Sequence, residues 1–362
     1  MHETERSGRR NWMPHLIATT VLAIAALLIV AQPAAAAKDP VGGGLTTLKP
    51  TNKIAKALAK GNVKVKPKGS ASAGKKGLEF PVTGGQINPG EPKGKVEHKG
   101  SRLQLKKGKT KATLKNPLIN LSKAKLNVGV GGSSLKLFDL DYSKAKITRD
   151  GFATVYSKVK AKLTKGSAKV LKKGFGLKVK KGTVFGKAKV VADLSAVSLK
   201  AAGDTSLVPD PGTLAALTGA GISVAPIGPA TAGPGGIAFP ITGGMVSTSD
   251  LTGEIDHSGG LKFTKPAMHG AGEDVVVDLT DFTIQIDEDP DLVASLGASR
   301  VSILSLDLSG ASIDIVGTDV TVSGVEASLT AGAADALNAA FSTTLFTEGL
   351  VIGTATVAAQ AK

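Results

Sequence analysis

Two stretches of this chain, 159 residues apart, have almost the same sequence. Phe80–Gly85 reads FPVTGG, and Phe239–Gly244 reads FPITGG. Further along, Leu137–Ser143 (LFDLDYS) matches Ile303–Ser309 (ILSLDLS) at an offset of 166. A repeat that keeps its order over most of a chain indicates two copies of one structural unit. The sequence therefore predicts two tandem modules of similar fold.

The repeat also fixes the expected domain boundaries. It places module 1 at residues 44–198 and module 2 at residues 204–362, with the boundary at Ala201–Ser206. The chain has 362 residues, which suits two domains of about 100–200 residues each. Only 4% of the residues are aromatic and none is cysteine, so aliphatic cores without disulfides must hold both modules.

Alternating apolar and polar residues favour β-strands in both modules. Leu304, Leu306 and Leu308 alternate with polar residues, and Ile313 and Ile315 flank an aspartate. A period of two is typical of half-buried antiparallel strands. Other apolar residues, at helical spacing, predict one helix per module, after Thr330 in module 2 and over Leu163–Phe175 in module 1. A shorter helix is expected near each module's start, at Ile54–Lys60 and Thr213–Thr218. We expect a mostly β fold: two antiparallel β-sandwich-like modules, each with one or two short helices.

Residues 1–37 have the pattern of a secretory signal peptide. Three arginines precede the uncharged apolar run Leu16–Ala31, and Gln32–Ala37 supplies small residues for cleavage. The apolar run is short for a membrane-spanning helix, although a retained N-terminal anchor stays open. We expect a secreted or cell-surface protein with no transmembrane domain in its mature chain.

The two modules differ sharply in charge. Residues 38–200 contain 38 Lys and Arg but only 8 Asp and Glu, whereas residues 201–362 contain 4 and 19. The expected polyanion-binding lysines of module 1 alternate with apolar residues: Lys158, Lys160, Lys162, Lys178, Lys180, Lys187 and Lys189. We interpret them as outward-facing strand positions.

Three interpretations of these lysines stay open. They can form a solvated face, they can bind a polyanion such as an anionic cell-wall polymer, or basic module 1 can dock on acidic module 2, within a chain or by self-association. Module 1 has only two arginines, Arg102 and Arg149, and no series of stacking aromatics. Sequence-specific nucleic-acid recognition is therefore not expected.

His98 and His257 are the histidines that the repeat conserves. Each precedes a glycine-containing turn, where an imidazole can bind a ligand or hydrogen-bond to the backbone. The acidic run Asp287–Asp291 lacks the glycine and glutamate of an EF-hand. No catalytic motif or metal-ligand spacing stands out, so we expect neither an enzyme nor a metal site.

Two stretches of module 2 resemble a known family. Ser305–Phe341 and Leu251–Ile286, with its histidine–glycine turn, are similar to HtaA-type domains, which are secreted or surface modules of actinobacteria. The resemblance implies haem capture, with a tyrosinate on the iron and a histidine supporting it. His98 and His257 match that histidine. The tyrosine has no match, because Tyr142 and Tyr156 align with Leu308 and Val322, which we interpret as packing positions.

The leading hypothesis is a non-catalytic binding protein of the HtaA-like type, with haem or another apolar molecule as ligand and His98 and His257 nearby. The alternative is a structural or attachment protein of the cell envelope that binds anionic wall polymers through the lysines of module 1.

Overall fold

The computed structural model describes residues 38–267 and 272–362, so the expected signal peptide and His269 lie outside the described residues. The elements of module 1 are β1 (Asp39–Pro50), α1 (Asn52–Lys60), β2 (Lys64–Gly69), β3 (Ser72–Gly74), β4 (Gly77–Pro81), β5 (Gly84–Asn88), β6 (Lys93–Glu97), β7 (Ser101–Lys107), β8 (Thr110–Asn120), β9 (Lys125–Val130), β10 (Ser133–Asp141), β11 (Lys146–Asp150), β12 (Ala153–Leu163), α2 (Lys165–Phe175) and β13 (Val184–Leu194).

Module 2 repeats this order closely. Its elements are β14 (Ala196–Pro209), α3 (Pro211–Gly219), β15 (Ser223–Ile227), β16 (Thr231–Gly233), β17 (Gly236–Ser247), β18 (Gly253–His257), β19 (Gly260–Lys265), β20 (Val275–Ile286), β21 (Asp291–Leu296), β22 (Ser299–Asp307), β23 (Ser312–Val316), β24 (Asp319–Leu329), α4 (Ala331–Phe341) and β25 (Val351–Ala361). The stretch Ala201–Ser206 lies within β14.

Eight strands of each module pair into a closed antiparallel sheet. In module 1 the circle runs β1–β13–β12–β10–β9–β8–β6–β5 and returns to β1. In module 2 it runs β14–β25–β24–β22–β21–β20–β18–β17 and returns to β14. A circle of eight strands encloses an interior that side chains can fill, or that can hold one small ligand.

One helix of each module packs its apolar face onto this interior. The Thr164 hydroxyl accepts a hydrogen bond from the Ser167 N–H at 3.1 Å, and the Thr330 hydroxyl accepts one from the Ala333 N–H at 3.3 Å. These N-caps start α2 and α4 where the spacing predicts. The helical residues that join the cores are Leu171, Phe175, Leu337 and Phe341.

The predicted fold class is confirmed: both modules are mostly antiparallel β, each with two short helices. One strand differs from its predicted burial. Ile313 and Ile315 of β23 are 54% and 47% exposed, although their alternation with Asp314 predicts a half-buried strand. The reason is position, because β23 pairs only with β24 and lies outside the closed circle.

Only Ser195 separates β13 of the first sheet from β14 of the second, and residues of the two sheets contact each other directly. The Ser198 hydroxyl donates to Asp39 Oδ1 at 2.5 Å, and Arg149 donates to the backbone oxygen of Lys362 at 2.6 Å. Burial raises the pKa of the Asp39 carboxyl. Across both described ranges, every helix is too short or too polar to cross a membrane.

Candidate functional site

His98 follows β6 directly and is 1% exposed. Its Nδ1 lies 2.9 Å from the carbonyl oxygen of Pro117, and its Nε2 lies 2.7 Å from the Thr46 hydroxyl. A carbonyl oxygen can only accept, so Nδ1 carries the proton of the neutral ring and Nε2 accepts the threonine proton. Both ring nitrogens of His98 are therefore engaged within the protein.

His257, at the end of β18, repeats the threonine contact of His98. Its Nε2 lies 2.7 Å from the Thr205 hydroxyl, and the side chain is 6% exposed. Its Nδ1 forms no hydrogen bond within the described residues. Burial lowers the pKa of His98 and of His257 to about 4, because a charged imidazole loses its hydration inside the sheet. Both histidines are neutral at pH 7.

The residues at these positions do not fit haem held by a tyrosinate. The hydroxyl that each histidine engages belongs to a threonine, Thr46 or Thr205. Tyr156 is fully buried and donates to the Glu91 carbonyl at 2.9 Å, and Tyr142 is partly buried against the core. Burial raises the pKa of both tyrosines, which disfavours a tyrosinate.

The interior of module 2 contains a cavity of about 350 Å³, whereas that of module 1 leaves only about 80 Å³. The first volume is within the usual range of small-molecule sites, and the second is far below it. The module 2 cavity is lined by apolar side chains from the whole circle, with Thr205 and His257 as polar neighbours. The apolar lining includes Leu207, Phe239, Leu261, Phe282, Leu304 and Ile352.

Two aromatic rings in the module 1 interior are replaced by smaller side chains in module 2. In module 1, Phe138 and Phe185 both line the small cavity, and their ring centroids lie 5.1 Å apart. The repeat places Leu304 and Ile352 at these positions in module 2, and both line the larger cavity. Smaller side chains at these two positions leave more space between the strands that carry them.

The module 2 cavity opens beside α3 and β16. Leu214 of α3 is 48% exposed and lines the cavity, as do the exposed residues Ala232 and Gly233 of β16. These residues are uncharged. An apolar molecule can therefore enter without first displacing an ion pair.

The structure separates the predicted polyanion-binding lysines into three groups. Lys160 and Lys187 lie directly opposite each other on β12 and β13, and Lys158 and Lys189 lie nearby on the same strands. Lys162 forms a 2.8 Å ion pair with Asp141. Lys178 and Lys180 lie in the segment between α2 and β13 and in no strand, contrary to the expected strand pattern.

Acidic residues form no metal centre in the described parts of the chain, where no three His, Asp or Glu side chains are grouped to hold an ion. In the predicted acidic run, Asp287 accepts a hydrogen bond from the Asp289 N–H at 3.0 Å. The repeat matches Asp141 with Asp307, and both have local partners: Asp141 accepts from the Ser143 N–H at 2.9 Å, and Asp307 accepts from the Ser309 N–H at 2.8 Å.

Comparisons with known proteins give similarities in solved structures only. No family model and no curated protein matches the chain. The C-terminal domain of HtaA from Corynebacterium glutamicum is 17% identical, with a TM-score of 0.35, over 46% of this chain and 99% of that one. The haem-binding protein HtaB from the same organism is 13% identical, with a TM-score of 0.32, over 46% of this chain and 96% of that one. At these values neither similarity assigns the chain to a family or gives it a ligand.

Sequence reasoning missed the residues that shape the cavity. The sequence analysis assigned Leu304 and Ile352 to no site, because only the closed sheet brings their strands to one interior. A usable signal was present: the repeat replaces Phe138 by Leu304 and Phe185 by Ile352. Two losses of aromatic volume at buried positions indicate space in one copy that the other copy fills.

Proposed function

We propose that this protein is an exported, non-catalytic binding protein that holds one small apolar molecule inside module 2. The observation that supports this function most is the apolar cavity of about 350 Å³ in a closed sheet whose repeat in module 1 is filled. The signal-peptide pattern of residues 1–37 supports export.

The surroundings of the cavity favour an uncharged ligand. The described residues of the wall include no Lys, Arg, Asp or Glu, and His257 is neutral at pH 7 because its pKa is about 4. A charged group placed there would lose its hydration without gaining an ion pair. An apolar molecule instead gains about 25 cal/mol for each Å² that it removes from water. The driving force for binding is therefore burial of apolar surface.

Haem is a less favoured candidate for this ligand. HtaB, one of the solved structures to which the chain is similar, is a haem-binding protein. Module 2, however, has no tyrosine, and the Nε2 of His257 is hydrogen-bonded to Thr205. The proposed ligand is therefore a smaller apolar molecule without a metal.

Filling the cavity tests the proposal. The double variant Leu304→Phe/Ile352→Phe gives module 2 the rings that module 1 carries at the same positions. We expect wild-type protein to bind one equivalent of N-phenyl-1-naphthylamine, measured by fluorescence titration, and the double variant to bind at least tenfold more weakly, a loss of about 1.4 kcal/mol or more.

A matched control adds a ring elsewhere. Ile313→Phe on the exposed strand β23 should leave the titration unchanged. Equal binding by wild type and the double variant, with both folded by circular dichroism, would place the probe outside the cavity and refute the proposal. A parallel titration with hemin separates the ligands: a Soret shift at one equivalent that the double variant abolishes would identify haem.

A further inference from the structure

Three lysines lie side by side across three neighbouring strands of module 1. The register pairs Lys49 of β1 with Lys187 of β13, and Lys187 with Lys160 of β12. Directly paired residues point to the same face of a sheet. Lys49 and Lys187 are exposed, and Lys160 is partly exposed. We name these three residues the lysine row.

The lysine row has no neutralising partner among the described residues. None of its three ammonium groups forms an ion pair there. The next residue along the row is Asp141, which lies opposite Lys160 but pairs with Lys162 at 2.8 Å. The row thus presents uncompensated positive charge to solvent.

The fold does not require these lysines. The repeat places Val208, Thr354 and Glu326 at the corresponding positions of module 2, and they are paired in the same register. Like charges directly opposite each other destabilise a sheet. Module 1 therefore retains an arrangement that opposes folding and that its own repeat lacks, which points to a role in binding.

We propose that the lysine row binds a linear polyanion whose charged groups repeat along its length. Neighbouring strands are about 4.8 Å apart, so the three ammonium groups span roughly 10 Å in one line. Such a line suits successive charges of an extended polymer better than one small anion. Lys158 and Lys189, which lie next to the row on β12 and β13, widen the surface. This site is independent of the cavity in module 2.

The test compares two triple variants that lose the same charge. Lys49→Gln/Lys160→Gln/Lys187→Gln removes the lysine row, and Lys169→Gln/Lys172→Gln/Lys173→Gln, the segment variant, removes three exposed lysines from α2. Binding to linear polyphosphate and to alginate is measured over a range of salt concentrations. The two polymers distinguish phosphate from carboxylate as the recognised group.

We expect the row variant to bind at least tenfold more weakly, and the slope of log affinity against log salt to fall by about three, one for each lost contact. The segment variant should stay within about threefold of wild type. The melting temperature of the row variant should be no lower than that of wild type, since its like charges are gone. Equal losses in both variants would mean binding to net charge alone and would overturn the proposal. Failure to bind either polymer, or tighter binding to duplex DNA than to both, would also overturn it.

Discussion

Acidification from pH 7 to pH 4 is expected to destabilise this protein by several kcal/mol through His98 and His257. Both have a pKa of about 4 in the folded protein, against an ordinary value of about 6.5. Between these values the unfolded chain binds protons that the folded protein does not, so the free energy of unfolding falls as pH falls. Above about pH 6.5 the two histidines do not lower the free energy of unfolding. Between pH 6.5 and about pH 4, each histidine lowers it by roughly 3 kcal/mol.

Urea denaturation at pH 7 and pH 4.5 measures this effect. His98→Gln and His257→Gln retain a polar side chain but do not titrate, so each should remove about half of the pH dependence that the two histidines cause. Carboxyl groups, including Asp39, whose pKa is raised by burial, are common to all variants and cancel in the comparison. A pH dependence that both substitutions leave unchanged would show that the imidazoles are not the groups that limit acid stability.

Opening the interior of module 1 is expected to create a second binding site. Phe138→Leu and Phe185→Ile give module 1 the side chains of module 2 at two facing positions. We expect the double variant to bind two equivalents of N-phenyl-1-naphthylamine where wild type binds one. We also expect the free energy of unfolding to fall by about 2–4 kcal/mol, because two buried rings are lost and the closed sheet cannot collapse fully onto the space.

The control for this exchange is Phe152→Leu. Phe152 packs on the core of module 1 but does not line its cavity. Its substitution should lower stability without adding a second equivalent of probe. A double variant that stays at one equivalent although it is folded would show that side-chain volume at these two positions does not decide which module binds.

Local patterns predicted the elements of this fold but not its closure. The alternation of leucines at 304 and 306 gives β22, and Thr330 with its apolar spacing gives α4 at Ala331–Phe341. Closure depends on pairings such as β1 with β13 and β14 with β25, between residues distant in sequence. A period of two cannot show such pairings, because it reports the face of a residue and not the strand beside it.

The candidate sites show the same limit. The repeat pointed to His98 and His257, but only the structure shows that each engages a threonine 52 residues earlier in the chain. The alternation of lysines suggested a basic face, yet Lys49 joins it only through the register of β1 with β13. Residues that act together across strands are therefore visible only after the register is known.

Xenon bound in a crystal of the protein gives the most direct test of the central claim, that module 2 encloses an accessible apolar cavity and module 1 does not. Xenon occupies apolar cavities, and its use needs no knowledge of the natural ligand. We predict an anomalous-scattering peak inside module 2, in contact with Leu304 and Ile352, and none between Phe138 and Phe185 of module 1. Peaks of equal height in both modules, or none in module 2, would contradict the account.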